Sequence, residues 1–289
     1  MLNKTKILSK LISFTALIAV ALSSAAYATQ YTVMPLGTLG GTSTTVTGIN
    51  STGELVGESL NSAGNDNAFL YSNGVLTNLG TLGGSASQAF GINSSGQVVG
   101  QSTNSAGNWN AFLYSNGAMT NLGTLGGALS QANGINSSGQ IVGWAANSTG
   151  NQNAFLYSNG AMTNLGTLGG TTSIANGINS SGQVVGWADN SAGSQNAFLY
   201  SNGVMQNLNN LLGSASSEYT LTSAVGINKN GQIAVNGTIT ATGQSMGFLL
   251  TPVTSASSAG VPAPATLGLL AAAMAGLLMM RRKRVSALS

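Results

Sequence analysis

The sequence predicts an all-β chain of five four-stranded repeats, with a five-bladed β-propeller closed by its N-terminal strand as the first architecture and an open β-solenoid as the alternative. Three observations carry this. The string "GTLGG" begins at 37, 80, 123 and 166, a step of 43 residues each time, and "GIN" begins at 48, 91, 134, 177 and 226; a period near 40–45 residues is that of a propeller blade. Each unit contains two tight-turn signals, Ser94-Ser95-Gly96 and Asn73-Gly74 in the second and first copies, which join four short strands A to D as a meander. Runs such as "AFLY" and "QVVG" are continuously apolar, as expected of strands covered on both faces.

Taken from the start, Lys4, Lys6 and Lys10 precede the apolar run "LISFTALIAVAL", and Ala26 and Ala28 are small residues ahead of a cut. Residues 1–28 therefore read as a signal peptide that engages the Sec translocon and signal peptidase. Residues 29–253 form the repeat domain. It opens on "YTVMPLGTLGG", which aligns with the D strand of later copies, while the fifth copy stops after its C strand at "MGFLLTPV". The lone first strand is expected to supply what the last unit lacks and so remove two open edges. Strand A is expected innermost, where Gly48, Gly91, Gly134, Gly177 and Gly226 suit crowding. Residues 254–260 are a small, polar, flexible linker. Residues 261–289 hold the apolar stretch from Ala265 to Met280, about 24 Å long as a helix against a hydrocarbon core of about 30 Å. Arg281, Arg282, Lys283 and Arg284 follow as a basic stop.

Composition excludes several functions. The chain lacks cysteine and histidine, which removes disulfides, thiol chemistry and imidazole metal sites. Between the terminal segments one lysine, Lys229, stands against five acids, a formal charge of −4, so nucleic acid is not an expected partner. Glu54 and Glu58 are the acids closest in sequence, but on one strand they lie about 13 Å apart, beyond the roughly 5–9.5 Å of glycosidase pairs. The loop "NSAGNDN" has too few carboxylates for calcium. No metal, cofactor or catalytic residue is expected.

Variation among the copies points to a ligand face. The A–B and C–D turns are nearly constant, whereas the B–C and D–A connections differ from copy to copy. Trp109, Trp144 and Trp187, with Asp66 and Asp189, belong to that varied face or its rim. Aromatic rings exposed there would stack on sugars, while the structural alternative packs them between blades.

The units "GINSSGQVVG" and "NAFLYSNGAMTNLGTLGG" resemble the HAF-type extracellular repeats of bacteria, from about Tyr31 to about Pro252. The family's name-giving histidine is replaced here by Asn67, Asn110, Asn153 and Asn196, so no role of that histidine transfers. The tail resembles the PEP-CTERM sorting signal, with Val261, Pro262 and Pro264 matching and Ala263 standing where that family usually has glutamate. This resemblance implies an exosortase-type processing enzyme as partner, transient contact with the inner membrane of a Gram-negative bacterium, and release to the cell surface or outside. The expectation is an exported, non-enzymatic structural or adhesive protein of an exopolysaccharide or biofilm layer, with exopolysaccharide as its ligand. The alternative is a carboxylate-dependent extracellular glycan hydrolase.

Overall fold

Each repeat begins its fold at its turns, where asparagine and glycine accept backbone angles that other residues resist. Asn73 (φ 52°) and Gly74 (φ 81°) both lie in the left-handed region. That is the two-residue turn whose twist matches flanking antiparallel strands. The same pair recurs at Asn116-Gly117, Asn159-Gly160 and Asn202-Gly203. The other turns close on asparagine side chains: Asn93 Oδ1 accepts from the N–H groups of Ser95 and Gln97, and Asn104 Oδ1 from those of Ala106 and Asn108. Polar residues thus fix the hairpin registers locally.

The computed structural model describes residues 30–253. Its first sheet is β1 (Gly40–Ile49), β2 (Leu55–Asn61), β3 (Asp66–Ser72) and β4 (Val75–Asn78). The second is β5 (Gly83–Ile92), β6 (Val98–Asn104), β7 (Trp109–Ser115) and β8 (Ala118–Asn121). The third is β9 (Gly126–Ile135), β10 (Ile141–Asn147), β11 (Gln152–Ser158) and β12 (Ala161–Asn164). The fourth is β13 (Gly169–Ile178), β14 (Val184–Asn190), β15 (Gln195–Ser201) and β16 (Val204–Asn207). After two 3₁₀ turns, Leu208–Leu211 and Gly213–Ser217, the fifth sheet has three strands, β17 (Tyr219–Ile227), β18 (Ile233–Ile239) and β19 (Ser245–Leu250). All are antiparallel meanders, so the chain is an all-β array of five blade-like sheets.

The core lies between sheets. Val56, Ala68 and Leu79 of the first sheet bury against Ala89, Val98 and Phe112 of the second. The same arrangement repeats three times down the array. Adjacent residues of one strand point to different neighbours: Val98 packs toward the first sheet and Val99 toward the third. This is why "QVVG" does not alternate. Burying a phenylalanine such as Phe112 or Phe155 contributes about 1.5–3 kcal/mol. The A strands of consecutive sheets touch one another, and a Cβ on Gly91 would meet Asn133 O and Gly134 Cα at 3.6 Å each. Strand A is innermost, as the glycines suggest.

Two expectations are corrected. The stretches "GGTSTT", "GGSASQ", "GGALSQ" and "GGTTSI", read as D–A loops, are the first half of the A strands, joined through a register shift between Gly83 and Ser87 and its equivalents. Their second glycine makes this possible, since a Cβ on Gly84 would overlap Thr103 and the Asn104 carbonyl. The second correction concerns closure. Residues 30–38 form no strand, the fifth sheet stays three-stranded, and the strand contacts that join consecutive sheets do not join the fifth to the first. The alignment with later D–A segments does hold from Gly37 onward: Thr44 Oγ1 donates to Gly37 O at 2.7 Å, as Ser87 Oγ donates to Gly80 O at 2.6 Å.

Among the described residues no helix is long and apolar enough to cross a membrane. The signal peptide with Ala26 and Ala28, the linker, the sorting residues Val261, Pro262, Ala263 and Pro264, and the basic stop from Arg281 to Arg284 lie outside the described residues.

Candidate functional site

The two rims of the array differ in chemistry. On the constant rim, the asparagine of each "GIN" builds a ladder. Asn93 Nδ2 donates to Gln97 Oε1 at 2.8 Å and to the main-chain oxygen of Asn136 at 3.1 Å, one sheet on. Asn136 repeats this to Asn179 at 3.0 Å, and Asn179 to Asn228 at 3.2 Å. Each amide is fully used, and among the described residues no buried side-chain polar atom lacks a partner. Glu54 takes the place that Gln97, Gln140, Gln183 and Gln232 hold elsewhere, receiving Asn50 Nδ2 at 2.6 Å and Ser72 Oγ at 2.9 Å. The Asn50 and Ser72 hydrogen bonds hold its carboxyl below the ordinary glutamate range. Its role is that of the glutamines, which is structural.

The varied rim collects the candidate residues, one sheet at a time. Trp144 is two residues beyond Val142, whose side chain packs toward the fourth sheet, so the indole lies on that same forward face. Trp187 stands likewise two beyond Val185, facing the fifth sheet, and Asp189 follows it on the same face. Trp109 lies opposite Thr103 on the forward face of the second sheet, and Asp66 opposite Leu60 on that of the first. All five are half-buried. The tryptophans are therefore half-buried between neighbouring strands: Trp144 lies between Gln131 and Ala154, and Trp187 between Ile174 and Ala197. Only Trp187 and Asp189 share a sheet, and Asp66 and Asp189 occupy the first and fourth sheets without converging.

Sequence separation hid one pair. Glu58 lies opposite Ala68 on β3, which makes Asp66 its diagonal neighbour on the same face. Diagonal residues sit about 7–8 Å apart and long side chains bridge that gap. Partial burial, then the Asp66 charge, pushes the Glu58 carboxyl above the ordinary glutamate range. The folded state thus favours protonated Glu58, and its penalty appears as pH rises above the unfolded value. Glu58→Gln should raise stability at pH 7 by about 0.5 kcal/mol after solvent screening and leave it unchanged at pH 3, measured by urea denaturation at the two pH values. No group of three or more His, Cys, Asp or Glu residues gathers among the described residues.

Neither a family model nor a curated protein matches the chain. Among solved structures it is similar to TolB from Acinetobacter baumannii, with 14% identity and a TM-score of 0.42 over 68% of this chain. The match spans 51% of the TolB chain.

Proposed function

We propose that this chain is an exported, non-enzymatic structural or adhesive protein of an exopolysaccharide layer, with glycan as the ligand of the varied rim. In this reading an N-terminal leader delivers it through the Sec translocon, and an exosortase-type enzyme processes its tail after transient contact with the inner membrane. It then acts at the cell surface or outside. The observation that carries the reading is the division of labour between the rims: the asparagine ladder is the same in sheet after sheet, while Glu58, Gln101, Trp144 and Trp187 differ at one equivalent position. A constant frame presenting varied neutral and aromatic side chains suits repeated weak contacts to a polymer. Amide-rich surfaces and half-buried indoles are the side-chain types that hydrogen-bond and stack on sugars.

The Glu58–Asp66 pair favours a second reading, hydrolysis of a glycan at the first sheet. Panels of oligosaccharides on a glycan array, with a product assay alongside, separate the two. Binding without products, weakened at least about tenfold by Trp144→Ala and Trp187→Ala together, is expected. Products abolished by Asp66→Asn would replace the adhesive reading with the hydrolytic one.

A further inference from the structure

The two ends of the array present halves of a junction that the molecule already makes four times. At every internal junction the forward face of one sheet meets the rear face of the next, and three features recur, the second of them at the first three junctions only. An asparagine amide crosses to the next sheet's carbonyl. The N–H of a C-strand alanine, as in Ala68 or Ala111, donates to a serine oxygen of the next sheet, Ser87 or Ser130, at 2.9 Å. A D strand covers the outer edge of the C strand.

The fifth sheet lacks the receiving side of all three. Asn228 is exposed and its amide meets only Gln232. Gly247, at the place of Ala68, is exposed, as are Ala234 and Leu249, the last 67% exposed. Beside the open edge of β19 runs an apolar groove lined by Leu212, Tyr219, Leu221, Phe248 and Leu250, where the other sheets hold their D strand.

The first sheet offers the matching parts. Thr44 stands where Ser87 stands and already holds Gly37, with no preceding sheet to supply the N–H. Ile49 on the rear face is 67% exposed, while the equivalent Ile92 is half-buried. Ahead of Gly37, "TVMPL" carries the D-strand pattern of "VLTNL" but forms no strand; Tyr71 Oη donates to Met34 Sδ at 3.6 Å, and Val33 stays 92% and Met34 64% exposed. Pro35 falls where Asn78 falls, at a pair whose ladder N–H points away from the partner, so it does not obstruct pairing.

We propose that the fifth sheet of one molecule receives the N-terminal strand and first sheet of a second copy, so that copies join head to tail. Residues 32–36 add to the edge of β19 with Val33 opposite Leu250 and Met34 opposite Leu249, the register of Leu76 with Tyr71 and Thr77 with Leu70. The joint forms between molecules because strand packing as extensive as that of the four internal junctions does not link the fifth sheet to the first among the described residues. A heterologous contact that does not close on itself propagates. This rests on the proposed export in one respect: removal of residues 1–28 frees the donor strand.

The test uses the secreted full-length product. Its intact mass reports whether the leader is gone, and sedimentation velocity reports association independently. Wild type is expected to form species that grow with concentration. Val33→Asp and Leu249→Lys, both at exposed positions, should each leave a folded monomer with an unchanged melting temperature and association weakened at least about a hundredfold. Mixing the two variants should give dimers and nothing larger, because one intact joint remains between them. A wild type that is monomeric at every concentration, oligomers indifferent to both changes, or a mixture that stays monomeric would each overturn the proposal.

Discussion

Gly143→Ala is expected to lower the unfolding free energy by about 3 kcal/mol or more, read as a loss in the urea midpoint. A Cβ at this position would overlap the carbonyl oxygen of Gln131 and crowd Ala132 Cα at 2.9 Å. Both obstacles are backbone of the adjoining strand, so no rotamer change relieves them. The matched control is Gly150→Ala, at φ +84° in a turn with open space around it, where the cost is conformational alone, about 1 kcal/mol. The fifth sheet shows what tolerating a side chain requires. Val235 holds the place of Gly143 there, and the close approach has moved to Gly237, whose Cβ position overlaps Thr220 O beyond the register shift between Leu221 and Ser223.

The asparagine ladder gives the second large effect. Asn136→Ala removes two donated and two accepted hydrogen bonds from a site 5% exposed, leaving the N–H groups of Ser138 and Gln140 without their acceptor and Asn179 O with the Gly182 N–H alone. The expected loss is about 3–4 kcal/mol. Asn228→Ala, at the exposed last rung, should cost about 1 kcal/mol, because its amide serves only its own sheet. Asn136→Asp adds a pH signature. A carboxylate there would face the oxygens of Gln140 and Asn179, and burial would raise its folded pKa above the unfolded value of about 3.9. The added penalty is therefore absent at pH 3 and grows as pH rises to 7, the opposite of ordinary acid unfolding. Urea titrations at both values check this. A loss that is the same at both would remove the electrostatic part of the argument.

Much of the fold was legible because its signals are local. Asn73-Gly74 and its copies specify their turns by backbone angle alone, and the 43-residue step fixes which strands are equivalent. Other features depend on contacts that composition disguises. "GGSASQ" is polar and glycine-rich, which reads as loop, yet Ser87 is fully buried with its hydroxyl shared between Ala68 N–H and Gly80 O. Buried hydroxyls replace apolar side chains there, so hydrophobic periodicity misses the strand. The Glu58–Asp66 pair became visible only with the β2–β3 register, since eight residues and a turn separate them in the chain. The ladder was within reach: an asparagine after every "GI" is a repeated costly residue, and its partner lies one repeat away. The half-burial of the tryptophans was not legible, because it depends on how closely consecutive sheets approach.

Because every rung of the ladder is the same contact, the array has no preferred length. A unit duplicated between β8 and β9 would find Asn93 below it and Asn136 above it, and would meet each with the bonds they already make. Stability in such a stack is a sum over neighbours, so gain or loss of one unit adds or removes one increment and leaves the others unchanged. Unequal recombination within the repetitive coding sequence can therefore lengthen or shorten the molecule in steps of about 43 residues without re-evolving its core.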